Sequence, residues 1–239
     1  MTQQKIYFGK SSKKIKESFI SHIKKAIFAN ELSINDKLEN LHESFPNHKK
    51  LLKKGTDQST IFHRAIYSTF DDKNFFLTDF WKSYSELSLE IVEILKNETG
   101  YFGEWAIQRY PTIRFQFPEN VSVFEFHRDS NYSHPIGEIN CFYAINKCIN
   151  SSALQVEKNL GFEDYVPLNL NPGQYALLNT SIYKHGDFLN VTNKTRISMD
   201  LRFIPNSKLT NENISLTKGI GFNSNSYFIK ENDMRKINN

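Results

Sequence analysis

The chain has 239 residues, 39% hydrophobic and 14% aromatic, with 20 Phe and 11 Tyr. That is ample material for a core and excludes a wholly disordered chain. The net charge of +4, with lysines paired at Lys13-Lys14, Lys24-Lys25, Lys49-Lys50 and Lys53-Lys54, reads as a solvated basic surface rather than a nucleic-acid footprint.

Cys141 and Cys148 form no Cys-x-x-Cys motif, which predicts reduced thiols in a cytoplasmic protein. The start, Met1 to Lys5, lacks the apolar run of a signal peptide. No stretch approaches the roughly 18 consecutive apolar residues of a membrane span.

Ser11 or Ser12 is placed to cap a helix through Ile15, Phe19, Ile23 and Ile27, an amphipathic pattern with lysines between. Asn30 to Lys54 is polar and irregular, with Pro46 as a breaker. His42, His48 and His63 have no carboxylate at ligand spacing and are expected at the surface. A short helix is predicted within Asp57 to Phe70. A longer one, Thr78 to Leu95, is so broadly apolar that another layer must cover it. Thr99-Gly100 marks its end.

After Gly103 the pattern alternates. Strands are predicted over Thr112–Phe117, Val121–Phe126, Ile136–Ile145, Ser152–Glu157, Glu163–Leu168, Gln174–Leu178 and Thr195–Pro205, with a further segment carrying His185. Pro118-Glu119-Asn120 and Asn171-Pro172-Gly173 are turns. Short, closely spaced strands without helices between them argue for an antiparallel sandwich or jelly roll. The expected organisation is one domain, 1–239: mainly helical support over 1–103, a β core over 104–205, and a polar tail over 206–239. In the tail only Tyr227-Phe228-Ile229 is an apolar knot, which either caps the core or frays.

Arg196 to Phe203 has two faces. One carries Ile197, Met199, Leu201 and Phe203; the other carries Arg196, Ser198, Asp200 and Arg202. In a simple sandwich the polar face meets water. Alternatively, the apolar face meets the N-terminal helices and the polar face lines an interior, where buried arginines need anionic partners. Arg114, and Glu138 with Asn140, repeat the pattern on two other strands. A polar interior holding a polar ligand is favoured.

His127 and Asp129, at i and i+2 of a predicted strand, project to one face. His185 can add a second imidazole. Two imidazoles and a carboxylate on one side of a metal leave the other side open, as in non-haem Fe(II) oxygenases. An isolated His-x-Asp pair is more often a core histidine beside a turn cap, so its surroundings must decide.

The order His127-x-Asp129, His185, Arg196-x-Ser198 resembles that of the Fe(II)/2-oxoglutarate-dependent oxygenases. Pro135 to Asn140 and Arg196 to Pro205 resemble a narrower set, the small bacterial StrG-like group. The resemblance covers roughly Arg109 to Pro205. It implies an α+β fold, mainly β: a double-stranded β-helix, which is a cupin-like jelly roll, flanked by N-terminal helices. It further implies that His127, Asp129 and His185 hold Fe(II). Arg196 would pair with the distal carboxylate of 2-oxoglutarate, helped by Ser198 and Asn140. Arg114 and Arg202, with His134 and Tyr132 from the loop beside the metal, are candidate substrate contacts. Glu125 and Glu138 are candidate partners orienting the ligating histidines.

The implied reaction consumes dioxygen and converts 2-oxoglutarate to succinate while hydroxylating or desaturating a small polar metabolite. Asp129 stands where halogenating relatives carry a small residue, which argues against halogenation. No membrane or nucleic-acid partner is expected, and a homo-oligomer is left open. Two rivals stand beside this reading. One is a cupin-like metal enzyme that does not use 2-oxoglutarate; the other is a non-catalytic binding protein using the Lys-rich N-terminal half.

Overall fold

The computed structural model describes residues 2–28, 37–45, 60–122, 125–209 and 227–237. Among the helices, α1 (Lys13–Phe28) buries Ile15, Phe19, Ile23 and Phe28. The Ser12 hydroxyl accepts from the Ile15 N–H at 3.3 Å. A short α2 spans Leu41–Ser44, and α3 spans Ile61–Phe70 with Thr60 as its cap. The longest, α4 (Asp79–Thr99), starts at a Thr78 cap and stops at Gly100, whose φ of 70° is left-handed.

The described residues also form ten strands, numbered in chain order: β1 (Tyr7–Lys10), β2 (Trp105–Gln108), β3 (Thr112–Gln116), β4 (Ile139–Ala144), β5 (Gln155–Glu157), β6 (Tyr165–Pro167), β7 (Gln174–Leu178), β8 (His185–Gly186), β9 (Arg196–Pro205) and β10 (Phe228–Lys230). Helix α5 (Glu231–Ile237) closes the described chain. The larger sheet runs β1-β7-β4-β9-β2-β10, with β3 also paired to β9; the smaller runs β6-β5-β8. Every ladder is antiparallel.

Strand β9 organises the molecule. One edge pairs with β4; the other pairs with β3 up to Asp200 and with β2 from Phe203 onward. All ten of its residues are buried. Its apolar side, Ile197, Met199, Leu201 and Phe203, joins Phe19, Trp81 and Leu87 of the helices in the main core. The helical layer thus covers one face of the sheet. Across the other face, Phe142, Ala144, Ala176 and Leu178 pack with Leu154, Val156, Leu168 and Leu170. A polar face turned to water is therefore excluded: Arg196 is only 1% exposed and Arg202 5%.

Several expectations need correction. His63 is not a surface residue. It is fully buried, with Nε2 3.1 Å from the Ile113 carbonyl and Nδ1 2.7 Å from the Thr60 hydroxyl. His42 is half-buried and bonded through Nδ1 to the Thr195 hydroxyl. His48 and Pro46 lie outside the described residues. No strand forms over the described part of Val121–Phe126, where Ser122 is drawn instead into a buried ionic cluster. Strands β1, β2 and β10 were not predicted. The described end of the chain packs rather than frays: Phe228 and Met234 are fully buried, and Glu231 pairs with Lys96 at 2.8 Å.

Cys141 and Cys148 are free and buried. No helix among the described residues is long and apolar enough to cross a membrane.

Candidate metal centre

His127 and His185 sit directly opposite each other in an antiparallel bridge. The His127 N–H donates to the His185 carbonyl at 3.0 Å, and the His185 N–H returns the bond at 2.9 Å. Directly opposed residues project to the same side. The two rings accordingly lie 4.5 Å apart, centroid to centroid. Arg128 is extended (φ −103°, ψ 140°), so Asp129 returns to the side of His127 before the chain enters a 3₁₀ turn, Asp129–Tyr132. The predicted i, i+2 geometry therefore holds without the predicted strand.

The Asp129 Oδ1 lies 3.6 Å from His127 Nε2 and 3.5 Å from His185 Nε2. One ligand atom from each residue lies within 4.8 Å of the others. These separations are too long for hydrogen bonds. The other ends are assigned by chemistry. His127 Nδ1 is 2.8 Å from the Glu125 carbonyl, which can only accept. Nδ1 therefore carries the proton and Nε2 presents its lone pair inward. Asp129 Oδ2 accepts from the Thr180 hydroxyl at 2.6 Å and from Arg202 Nη2 at 3.1 Å, which leaves Oδ1 for the centre. The Asp129 N–H also donates to the Thr180 carbonyl at 2.8 Å. Burial alone would raise the Asp129 carboxyl, but Arg202 and His185 hold it well below the usual carboxylate range. Burial pushes His185 down to about 4 against the pull of Asp129. An ionised carboxylate and two imidazole nitrogens that converge on one point are a donor set for a divalent metal.

Asp129, His134 and Glu138 form a second grouping of ligand-type atoms. Its carboxylates are joined by a cation. Arg202 reaches Glu138 through Nε at 2.9 Å and Asp129 through Nη2, while Nη1 donates to the Tyr227 hydroxyl at 3.0 Å. His134 Nδ1 lies 3.0 Å from Glu138. This grouping is an ion-pair network rather than a second cradle.

A small cavity of about 20 Å³ lies between the sheets, walled by Arg114, Asn140, Arg196, Asp200 and Arg202 on one side and His127, His185 and Asp187 on the other. The structure thus brings Arg114, Asn140, Arg196 and Arg202 to one cavity with His127 and His185. Ser198 is fully buried on the same β9 face. Arg114 Nε pairs with Asp200 at 3.1 Å. Arg196 pairs with Asp187 through both terminal nitrogens, at 2.6 and 3.0 Å. Tyr132 does not line the cavity; it is 38% exposed, with its ring edge-on to His127 at 5.0 Å. Glu125 orients His127 through its backbone carbonyl.

Sequence reasoning missed Asp187, Ser122, Thr180 and Tyr227. Only Asp187 carried a signal, its position two residues beyond His185. Thr180 and Ser122 lie in irregular segments, and Tyr227 arrives from the tail.

The helices packed on one face of an antiparallel sheet, with a second small sheet across the other, form a mixed fold shared with known proteins. The structure of SnoN, a non-heme alpha ketoglutarate dependent epimerase from nogalamycin biosynthesis, matches with a TM-score of 0.52 over 84% of this chain and 78% of that one, at 9% identity, a likeness of fold. In sequence the chain is 25% identical over 174 residues to the streptomycin biosynthesis protein StrG of Streptomyces griseus, covering 72% of this chain and 77% of StrG. A structure of CytC3 with Fe(II) and alpha-ketoglutarate aligns at a TM-score of 0.47, covering 92% of this chain and 84% of that one, with 11% identity. No family model matches the chain.

Proposed function

We propose that the protein is a non-haem Fe(II)- and 2-oxoglutarate-dependent oxygenase, built on a double-stranded β-helix, that hydroxylates or desaturates a small metabolite. The observation that carries this reading is the convergence of His127 Nε2, His185 Nε2 and Asp129 Oδ1, with Oδ2 already claimed by Thr180 and Arg202. His127, Asp129 and His185 would hold the iron. When bound, iron with 2-oxoglutarate and dioxygen supplies an oxidant that takes a hydrogen atom from the substrate as 2-oxoglutarate becomes succinate.

The residues around the centre have separable roles. Thr180 and Arg202 hold Asp129 so that a single oxygen faces the metal. The Glu125 carbonyl fixes the His127 ring. Asn140 Oδ1 and Ser198 Oγ are buried without a protein hydrogen-bond partner and suit contacts to a polar co-substrate. Arg196 is the candidate for its distal carboxylate. Arg114 and Tyr132 are the better candidate substrate contacts, one on the cavity wall and one half-exposed against the His127 ring. Arg202 and His134 are spent on the Asp129–Glu138 network and serve positioning. The same hydrogen-atom chemistry would also serve an epimerase such as SnoN is described to be, so the product has to be identified, not assumed.

One observation favours a second reading, a metal-dependent enzyme without 2-oxoglutarate: Arg196 is already paired with Asp187. The deciding experiment is succinate formation by the purified protein with Fe(II), 2-oxoglutarate and oxygen, beside Asp129→Ala and Arg196→Ala. Turnover lost in both variants supports the oxygenase. A folded wild type that neither turns over nor binds 2-oxoglutarate with metal supports the second reading.

A further inference from the structure

The guanidinium of Arg196 has five N–H donors, and four are taken. Nη1 donates to Asp187 Oδ1 at 2.6 Å and to the Ser152 carbonyl at 3.4 Å. Nη2 donates to the Ser122 hydroxyl at 2.5 Å and to Asp187 Oδ2 at 3.0 Å. Ser122 in turn donates to Asp187. Only Nε is without a partner. A carboxylate docks on arginine most strongly through two parallel N–H bonds on one edge. The edge formed by both terminal nitrogens is filled by Asp187. The other edge, Nε with Nη2, is half filled by Ser122. A second carboxylate therefore has no complete edge to occupy while this cluster stands.

The cluster is also placed to matter. Asp187 and Ser122 are 4% and 5% exposed, and both line the same cavity as Arg196, Asn140 and the two histidines. Asp187 continues directly from His185-Gly186 of β8. Exchange of Asp187 for an incoming carboxylate keeps the buried cation neutralised, whereas an acid without a second carboxylate has nothing to exchange.

We propose that Asp187 is a specificity-determining residue that competes with the co-substrate's distal carboxylate for Arg196, and so sets how tightly a dicarboxylate binds. This rests on the oxygenase reading above. Loading the co-substrate then requires the Asp187–Arg196 pair, or the Ser122 bond beside it, to open. Asp187 positions no reacting atom; it governs the anchor.

The test is calorimetric titration of the Mn(II)-loaded protein with 2-oxoglutarate and with 2-oxobutyrate, which shares the 2-oxo acid end but lacks the distal carboxylate. Asp187→Asn keeps the side-chain shape and removes the competing charge. It is expected to bind 2-oxoglutarate about tenfold more tightly than wild type, with 2-oxobutyrate unchanged. Unchanged or weaker 2-oxoglutarate binding in a folded Asp187→Asn would overturn the proposal, because Asp187 would then merely support Arg196. If Asp187→Asn does not fold, Asp187→Ser decides. It also removes the competing charge, so tighter 2-oxoglutarate binding upholds the proposal and unchanged or weaker binding overturns it. Wild-type protein that takes up Mn(II) but neither acid would overturn the oxygenase reading itself.

Discussion

His127 and His185 are joined by two reciprocal backbone hydrogen bonds, so main chain places the two side chains on one side, and the Glu125 carbonyl bonds the His127 ring in place. Gly186, next to His185, closes against the segment bearing His127. A Cβ on Gly186 would stand 3.2 Å from the Phe126 Cα and 3.1 Å from its ring. Gly186→Val is predicted to push the two segments apart and weaken Mn(II) binding about tenfold, as loss of outer support commonly does. Metal titration of the folded variant checks this; unchanged affinity would show that the bridge tolerates spreading.

Arg202 supports Asp129. Replacing it with Met leaves Asp129 Oδ2 with Thr180 alone and strips Glu138 of its cation. Arg202→Met is predicted to lower metal affinity by about 10- to 100-fold. Breaking this buried network is also expected to cost about 3–5 kcal/mol of stability, read from urea denaturation. Arg202→Lys should recover part of the stability and little of the affinity, because one ammonium cannot reach Asp129, Glu138 and Tyr227 together.

Much of this centre was legible in the sequence, and the limits are instructive. The spacing His127-x-Asp129 needs only local extension, which Arg128 supplies, so the ligand pair survived the loss of its predicted strand. The alternation of Arg196 to Phe203 showed two faces, and burial of the whole strand follows from having a helical layer on one side and a second sheet on the other. The anionic partners of the buried arginines were a different matter. They come from positions remote in sequence, such as Asp187 for Arg196 and Glu138 for Arg202, and periodicity carries no pairing information. His63 was misplaced for the same reason: the Ile113 carbonyl that satisfies it belongs to a strand far along the chain.

The tail contributes to the site through Tyr227, whose hydroxyl accepts from Arg202. Deleting residues 227–239 removes β10 from the edge of β2 and uncovers Phe228's neighbours Ala106 and Ile204. The truncated protein is predicted to unfold at lower urea concentration. Tyr227→Phe, which keeps the packing, should cost about 1 kcal/mol of stability while weakening metal binding measurably. Equal metal affinity in Tyr227→Phe and wild type would detach the tail from the centre.

His22 predicts a pH dependence away from the metal. Burial, aided by Lys25, lowers it from 6.5 to about 4, and its ring packs 4.4 Å from that of Phe80. As pH falls below 6.5 the unfolded chain takes up this proton first, so the stabilising contribution is complete above pH 6.5 and is lost as pH falls through about 4. In metal-stripped protein, unfolding free energy should therefore decline over that range. His22→Gln should show a shallower decline, and an identical slope would contradict the assignment.

Core packing offers a further check at Gly9, which pairs with Tyr175 between β1 and β7. A Cβ there would lie 2.2 Å from the Tyr175 ring carbon that bears the hydroxyl. Gly9→Ala should cost about 1–3 kcal/mol, as overpacking does, and detach β1 from the edge of the sheet. Hydrogen exchange over Tyr7–Lys10 would report it.

If His127, Asp129 and His185 hold iron open to a chelating 2-oxo acid, anaerobic titration of 2-oxoglutarate into Fe(II)-loaded protein must show it. A visible charge-transfer band should grow to one equivalent in wild type and be absent in Asp129→Ala and His185→Ala. Folded wild-type protein that binds no Fe(II), or binds it without forming the band, would contradict the account.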